Sequence, residues 1–108
     1  ILKKSFEFLD RLLQSKDTEI VCGLAHGADM VGYYYAIHRN LPLWQFPADW
    51  LQHGIKAGMV RNAQMREVGD EFIGFWDLES RGTAEMRAGV LKTNKPLKMF
   101  GMNFEPLG

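Results

Sequence analysis

Three short polar segments of this 108-residue chain carry residue types that bind anions. The first follows a strand-like stretch and has the pattern G-x-x-x-G-x-D, made of Gly23, Gly27 and Asp29. Glycines permit positive φ and leave backbone N–H groups accessible, and the helical pattern that follows adds the positive end of a helix dipole. The segment suits a phosphate group, and it equally suits a tight turn in which Asp29 caps the helix.

The second segment has the sequence ESRGTAEM and follows the most apolar strand pattern of the chain. It contains Ser80, Arg81, Gly82 and Thr83 at the start of a helical pattern. Backbone N–H groups, a hydroxyl and a guanidinium would converge on an anion there, which makes it the stronger of the two phosphate candidates. Glu85 follows in the first helical turn, where it either stabilises the helix or acts as a general base.

The third segment is the crossover between residues 46 and 65, which is long for a domain of this size. Long loops inside small domains are more often functional than not. The helix that follows carries Arg61 and Asn62 about one turn from its start. Arg61 would reach a bound anion if it faces the cleft, and it is otherwise an ordinary solvated arginine.

Apolar periodicity predicts the elements that must position these segments. Strand patterns alternate with helical patterns, the strands at 19–22, 42–46, 71–76 and 96–100 and the helices at 1–16, 28–39, 58–69 and 83–94. Such alternation predicts an α/β protein in which a doubly wound parallel sheet has helices on both faces. Ligands bind at the carboxyl edge of such a sheet, where all three polar segments would lie.

The strand patterns also suggest an order within the sheet. Residues 71–76 are apolar on both alternating faces, which predicts a central strand, and Gly74 within them indicates a close backbone approach. Residues 96–100 begin with Pro96 and alternate through Lys98, which predicts a position near an edge. Residues 103–108 are predicted to be an irregular tail.

Composition excludes several classes of function. With 46% hydrophobic and 24% charged residues, the composition is that of one compact domain. The numbers of cationic and anionic side chains are equal, 13 each, so the chain has no net positive charge to attract nucleic acid. Cys22 is the single cysteine, so an intrachain disulfide is excluded and a reducing cytoplasm is expected. His26, His38 and His53 lack a zinc-ligand spacing, and we expect neither metal, cofactor nor membrane span.

The motifs CGLAHGAD, FPADW, GMVRNAQM and FWDLESRGTAEM, in this order, resemble the SLOG superfamily and in particular its YspA or cpYpsA-related branch of Rossmann-like domains. The resemblance covers residues 19 to about 100. GLAHGAD is similar to the glycine-rich turn of the Smf/DprA proteins, and Arg61 with Asn62 is similar to their arginine-asparagine motif. RGTAE resembles the G-T-x-E end of the phosphate-binding motif in the LOG (lonely-guy) phosphoribohydrolases.

The resemblance implies a single SLOG-type nucleotide-binding domain over residues 1–108, with a Rossmann-like fold whose first strand is missing from this chain. Gly23 and Gly27 would line the ligand, while Gly82 and Thr83 would hold a phosphate. Asp29, Asn62, Ser80 and Arg81 complete the expected binding set. Arg61 and Glu85 match the catalytic arginine and glutamate of the phosphoribohydrolases, whereas Met86 replaces their usual second glutamate.

Three functions follow as hypotheses. The leading one is a sensor or processing domain that binds a nucleotide or nucleotide-derived ligand. The second is a phosphoribohydrolase-like enzyme that cleaves nucleoside 5'-monophosphates through Arg61 and Glu85. The third is a DNA-binding module akin to Smf/DprA, against which the zero net charge argues, because counterion release requires several cations on one face. A homo-oligomer is also expected.

Overall fold

A computed structural model describes residues 2–14, 18–23 and 28–107, without the side chains of Leu2, Ala28 and Asp29. The chain divides into two compact units, residues 1–46 and residues 47–108, and each unit has a small sheet of its own. None of the helices in these described ranges has the length and apolar character needed to cross a membrane.

The N-terminal unit alternates helices and strands. It comprises α1 (Leu2–Leu12), β1 (Ile20–Cys22), α2 (Ala28–His38) and β2 (Leu43–Gln45). The two strands pair in parallel, with Ile20 opposite Leu43 and Cys22 opposite Gln45, and α2 forms the crossover that parallel pairing requires. The apolar stripe of α1 buries Leu9, and the side chains of Cys22, Tyr35 and Ala36 complete the core of this unit.

The C-terminal unit is built around a mixed sheet. It comprises α3 (Trp50–His53), a 3₁₀ turn (Gly54–Lys56), α4 (Ala57–Val68), β3 (Phe72–Phe75), α5 (Arg81–Leu91), β4 (Leu97–Phe100) and β5 (Pro106–Leu107). The strand order is β3-β4-β5, parallel between β3 and β4 and antiparallel between β4 and β5. Gly54 ends α3 with φ at 57°, a conformation that glycine adopts without strain.

Close packing of β3 on β4 explains the glycine in the middle of β3. Gly74 lies opposite Met99 across the parallel pair. A Cβ atom at Gly74 would stand 2.6 Å from the Sδ atom of Met99, so a side chain there would require Met99 to move. Met99 can therefore be almost fully buried over this strand, and with Val90 and Phe100 it forms part of the core of the C-terminal unit.

The prediction of an α/β chain is confirmed, and each of the four predicted strands and four predicted helices is present. The helix predicted over 1–16 ends at Leu12, and the other bounds differ by at most three residues. The single doubly wound Rossmann-like sheet stays a prediction, because the structure shows one parallel pair and one mixed three-stranded sheet.

Two predictions were wrong within the C-terminal unit. The strand predicted to be central, β3, lies at the end of the order β3-β4-β5, and residues 97–100, predicted near an edge, form the middle strand next to the short edge strand β5. The supposed irregular tail supplies β5, because it returns at Gly101 and pairs Pro106 with Phe100. The N–H of Gly101 donates to the Glu105 carbonyl at 2.8 Å and closes this turn.

Candidate functional site

The turn between β3 and α5 is held by side chains that accept from its backbone. Asp77 Oδ1 accepts from the N–H groups of Glu79 and Ser80, both at 2.8 Å, and these hydrogen bonds lower the pKa of the Asp77 carboxyl. Ser80 is the N-cap of α5, and its Oγ accepts from the N–H of Thr83 at 3.4 Å. The hydroxyl predicted to bind an anion therefore caps the helix in this structure.

Two hydrogen bonds of Trp76 connect the same turn to β4 and to the start of α5. Its backbone N–H donates to the Phe100 carbonyl at 2.9 Å, which continues the pairing of β3 with β4. Its indole Nε1 donates to the Ser80 carbonyl at 3.1 Å. The turn before α5 is therefore held at its start by the backbone of Trp76 and at its end by the half-buried indole of the same residue.

The start of α5 presents backbone N–H groups that the helix itself cannot satisfy. Arg81 and Gly82 are its first two residues and both are exposed. Within the described part of the chain, their N–H groups make no hydrogen bond. A Cβ atom at Gly82 would meet nothing within 4 Å, so the space over this residue is open. The helix dipole adds partial positive charge at the same place.

Asn62 connects α4 to the first turn of α5. The side chain of Asn62 is buried, and its Nδ2 donates to Glu85 Oε2 at 3.2 Å and to the Gly82 carbonyl at 3.5 Å. Arg61 Nε donates to Asn62 Oδ1 at 3.1 Å. The structure therefore brings together Arg61, Asn62, Gly82 and Glu85, four predicted site residues that come from two separate segments of the sequence.

Glu85 forms a two-pronged ion pair with Arg66. Arg66 Nη1 donates to Glu85 Oε2 at 3.1 Å and Nη2 donates to Oε1 at 3.3 Å, while Nη1 also contacts Met86 Sδ at 3.5 Å. The two charged side chains are only 18% and 28% exposed. Sequence reasoning missed Arg66, although it lies four residues after Asn62 and therefore on the same face of α4.

These contacts bear on the chemistry that Glu85 could perform. Both of its carboxylate oxygens accept from Arg66, and one accepts from Asn62 as well. A carboxylate has about four acceptor sites, and these three hydrogen bonds occupy most of them, so Glu85 has little acceptor capacity left for a water molecule. In the observed arrangement Glu85 links α5 to α4. The feature that attracts an anion is instead the pair of N–H groups of Arg81 and Gly82 at the start of α5.

The first glycine-rich segment is only partly described. Gly23 is buried directly after β1. Gly27 lies outside the described residues, and Asp29 is the second residue of α2, with its side chain outside the description. The anion-binding function of this turn stays a prediction.

Among the residues that the structure describes, no three His, Cys, Asp or Glu side chains are grouped so that they could hold a metal ion. His38 and His53 stand at the ends of different helices, α2 and α3, and His26 lies outside the described residues. Comparison of the chain with protein-family models, curated proteins and solved structures gives no match.

Proposed function

We propose that the C-terminal unit binds the phosphate of a nucleotide or nucleotide-derived ligand at the start of α5, in a sensor or processing role. The observation that carries the proposal is the hydrogen-bonded series from Arg61 through Asn62 to Gly82. It places a guanidinium-bearing residue of α4 next to the helix end whose first two N–H groups have no partner in the described chain.

Three physical features support an anion at this position. The free N–H groups and the helix dipole attract negative charge without any side chain. Arg61 supplies a permanent positive charge, and its bond to Asn62 reduces the conformational entropy that binding would otherwise cost. The turn of Asp77 and Ser80 fixes the helix start before any ligand arrives. Gly23, Gly27 and Asp29 of the N-terminal unit remain a second predicted anion-binding turn.

Calorimetric titration of the whole chain tests the proposal. The panel comprises inorganic phosphate, nucleoside mono- and diphosphates, and ADP-ribose. We expect saturable heat with at least one nucleotide, and a Gly82→Ala protein should bind that nucleotide about tenfold more weakly, a loss of about 1.4 kcal/mol. Its methyl group would meet nothing within 4 Å in the free protein, and it adds bulk at the second residue of α5, where we propose that the anion binds.

Gly32→Ala in α2 is the matched control. Its added Cβ would stand 3.8 Å from Ile20 Cγ2, an ordinary contact, so both variants should fold normally. Replacement of Arg61 by Gln should weaken binding further than Gly82→Ala does, because it removes a full charge. The proposal is wrong if no ligand of the panel produces heat, or if Gly82→Ala and the wild type bind alike.

The phosphoribohydrolase alternative is less well supported by the geometry. It requires Glu85 to accept a proton, whereas Arg66 and Asn62 already donate to both of its oxygens. Incubation with nucleoside 5'-monophosphates separates the two functions, since only the enzyme releases free base and loses that activity on Glu85→Gln. The DNA-binding alternative predicts a gel shift in low salt, which the zero net charge of the chain disfavours.

A further inference from the structure

Gly89 in α5 is in close contact with the guanidinium of Arg66 from α4. A Cβ atom at Gly89 would stand 2.5 Å from both Cζ and Nε of Arg66, so a side chain there would displace the guanidinium. Glycine favours helices less than alanine does, and Gly89 does not have the positive φ that would otherwise call for glycine. The close approach of Arg66 therefore explains why α5 carries a glycine at this position.

Arg66 is held through its backbone and through its side chain. Its carbonyl, in the last turn of α4, accepts from Lys95 Nζ at 2.8 Å. Its guanidinium donates to both carboxylate oxygens of Glu85, one helical turn before Gly89 on α5. The space that Gly89 leaves thus allows the guanidinium to reach Glu85 and to fix the position of its carboxylate.

The fixed carboxylate in turn orients the side-chain amide of Asn62. Glu85 Oε2 accepts from Arg66 Nη1 at 3.1 Å and from Asn62 Nδ2 at 3.2 Å. The other end of the amide, Asn62 Oδ1, accepts from Arg61 Nε at 3.1 Å. A continuous series of hydrogen bonds therefore runs from Arg66 to Arg61, the arginine that we expect to contact a phosphate.

Arg66 also compensates the charge of Glu85. A carboxylate near the start of a helix repels any second anion at the same helix end. The two charged side chains are only 18% and 28% exposed, so salt screens their attraction less than it screens that of a surface pair. With Arg66 in place, the partial positive charge at Arg81 and Gly82 remains available to a ligand.

We propose that Arg66 is a positioning residue of the anion site at the start of α5, and that Gly89 provides the space that this role requires. Arg66 acts through Glu85 and Asn62, which together hold the Arg61 side chain beside α5, and it need not touch the ligand. This role rests on the proposed function, because the site that Arg66 positions is the proposed phosphate site.

Gly89→Ala tests the proposal, because its methyl group displaces the guanidinium without deleting any donor or acceptor. Gly89 lies seven residues after Gly82, roughly 10 Å along the helix at about 1.5 Å per residue, so the methyl group would not itself contact the anion. The guanidinium ends a flexible side chain and alanine favours helices, so we expect a folded protein with a melting temperature within a few degrees of wild type.

The nucleotide that binds the wild type should bind Gly89→Ala about fivefold more weakly, because the Arg61 side chain is no longer held in place before binding. Gly32→Ala in α2 is the matched control. Its Cβ would stand 3.8 Å from the nearest atom and displaces nothing, so it should bind like the wild type.

A double-mutant cycle separates positioning from general packing of the two helices. Arg66→Gln should weaken nucleotide binding about as much as Gly89→Ala does, and the two changes together should weaken it no further. Arg66→Lys keeps the charge but not the planar pair of donors, so it should recover part of the affinity that Arg66→Gln loses. Additive losses in the double variant would overturn the proposal, because Gly89→Ala would then act by a route other than Arg66.

The side-chain amide signals of Asn62 give a second reading that needs no ligand. In proton–nitrogen correlation spectra of the free protein they should move in Gly89→Ala and in Arg66→Gln, and they should stay in place in Gly32→Ala. Unmoved Asn62 signals, or wild-type affinity in Gly89→Ala, would overturn the positioning role and leave the phosphate site standing. If the wild type binds no nucleotide, the phosphate site itself is wrong, and moved Asn62 signals would reduce Arg66 to a residue that orders two helices.

Discussion

Each unit of this protein uses an arginine and a carboxylate to hold two helices together, but the two clusters differ in burial. In the N-terminal unit, Arg39 Nη2 lies 2.9 Å from Asp10 Oδ2, and the side chains are 40% and 44% exposed. In the C-terminal unit, Arg66 Nη1 lies 3.1 Å from Glu85 Oε2, and the side chains are 18% and 28% exposed. The shorter pair is therefore the better solvated one.

Each ion pair has a third partner, Tyr35 in the N-terminal unit and Asn62 in the C-terminal unit, and these partners have different roles. Asp10 also accepts from the hydroxyl of the buried Tyr35 at 2.6 Å, and the Arg39 guanidinium lies 5.5 Å from the ring centres of Phe6 and Tyr35. This cluster adds polar contacts to the edge-on packing of Phe6 and Tyr35. Asn62, by contrast, contacts both Glu85 and the first turn of α5. The C-terminal cluster thus couples stability to the candidate site.

The largest effect is expected when the half-buried pair is broken from the carboxylate side. Glu85→Ala leaves Arg66 without its carboxylate and removes one of the two acceptors of Asn62, so the free energy of unfolding of the C-terminal unit should fall by about 2–3 kcal/mol. Urea unfolding measures this change through Trp76 fluorescence, with Trp44 and Trp50 replaced by Phe. Glu85→Gln keeps an acceptor oxygen and should cost about half as much. A loss below about 0.5 kcal/mol for Glu85→Ala would show that the pair is as weak as a surface one.

A smaller effect is expected when the N-terminal cluster loses its hydroxyl. Tyr35→Phe keeps the edge-on contact with Phe6, whose ring centre lies 5.4 Å away, and removes only the hydrogen bond to Asp10. The free energy of unfolding should fall by about 1 kcal/mol, because water can hydrate the exposed Asp10 carboxylate. Trp44 fluorescence follows this unit when Trp50 and Trp76 are replaced by Phe. A loss as large as that of Glu85→Ala would contradict the distinction between the two clusters.

The sequence predicted the elements of both clusters but not their contacts. Apolar periodicity places α4 and α5 correctly, because each helix must bury one face. Arg66 was missed because an arginine on a helix is usually solvated, and its partner Glu85 lies 19 residues later in the chain. The convergence of Asn62 on Gly82 likewise depends on how α4 packs against α5, which one sequence does not specify.

The strand order of the C-terminal unit was mispredicted for a related reason. The turn before β5 places Phe104 at φ 65°, a region where glycine or asparagine would be the usual signal. The ring of Phe104 packs edge-on against Phe75 at 5.9 Å, and the Glu105 carbonyl accepts from Gly101. Local hydrogen bonds, such as that from the Phe104 N–H to the Gly101 carbonyl at 3.0 Å, and the packing of Phe104 on Phe75 together form this turn. The sequence of the tail carries no glycine or asparagine at position 104 to indicate it.

The smallest effect distinguishes the clusters by their response to acid. The hydrogen bonds from Arg39 and Tyr35 lower the pKa of the Asp10 carboxyl from 3.8 to about 2, so the folded state holds this proton less tightly than the unfolded state does. The stabilisation is complete above about pH 4 and is lost as the pH falls toward 2. Because Asp10 is exposed, the change should be small and should shrink further in salt.

The measurement for this last prediction is the urea midpoint of the N-terminal unit at pH 5, 3 and 2, read from Trp44. In the wild type the midpoint should fall across this interval, whereas Asp10→Asn, which has no proton to gain, should show a flatter profile. Burial and the hydrogen bond to Asp10 raise the pKa of Tyr35 to about 12, so Tyr35 stays protonated throughout the interval and the change belongs to the carboxyl. Identical slopes for Asp10→Asn and wild type would mean that other carboxyls control the acid response, and that the exposed cluster contributes contacts without measurable charge stabilisation.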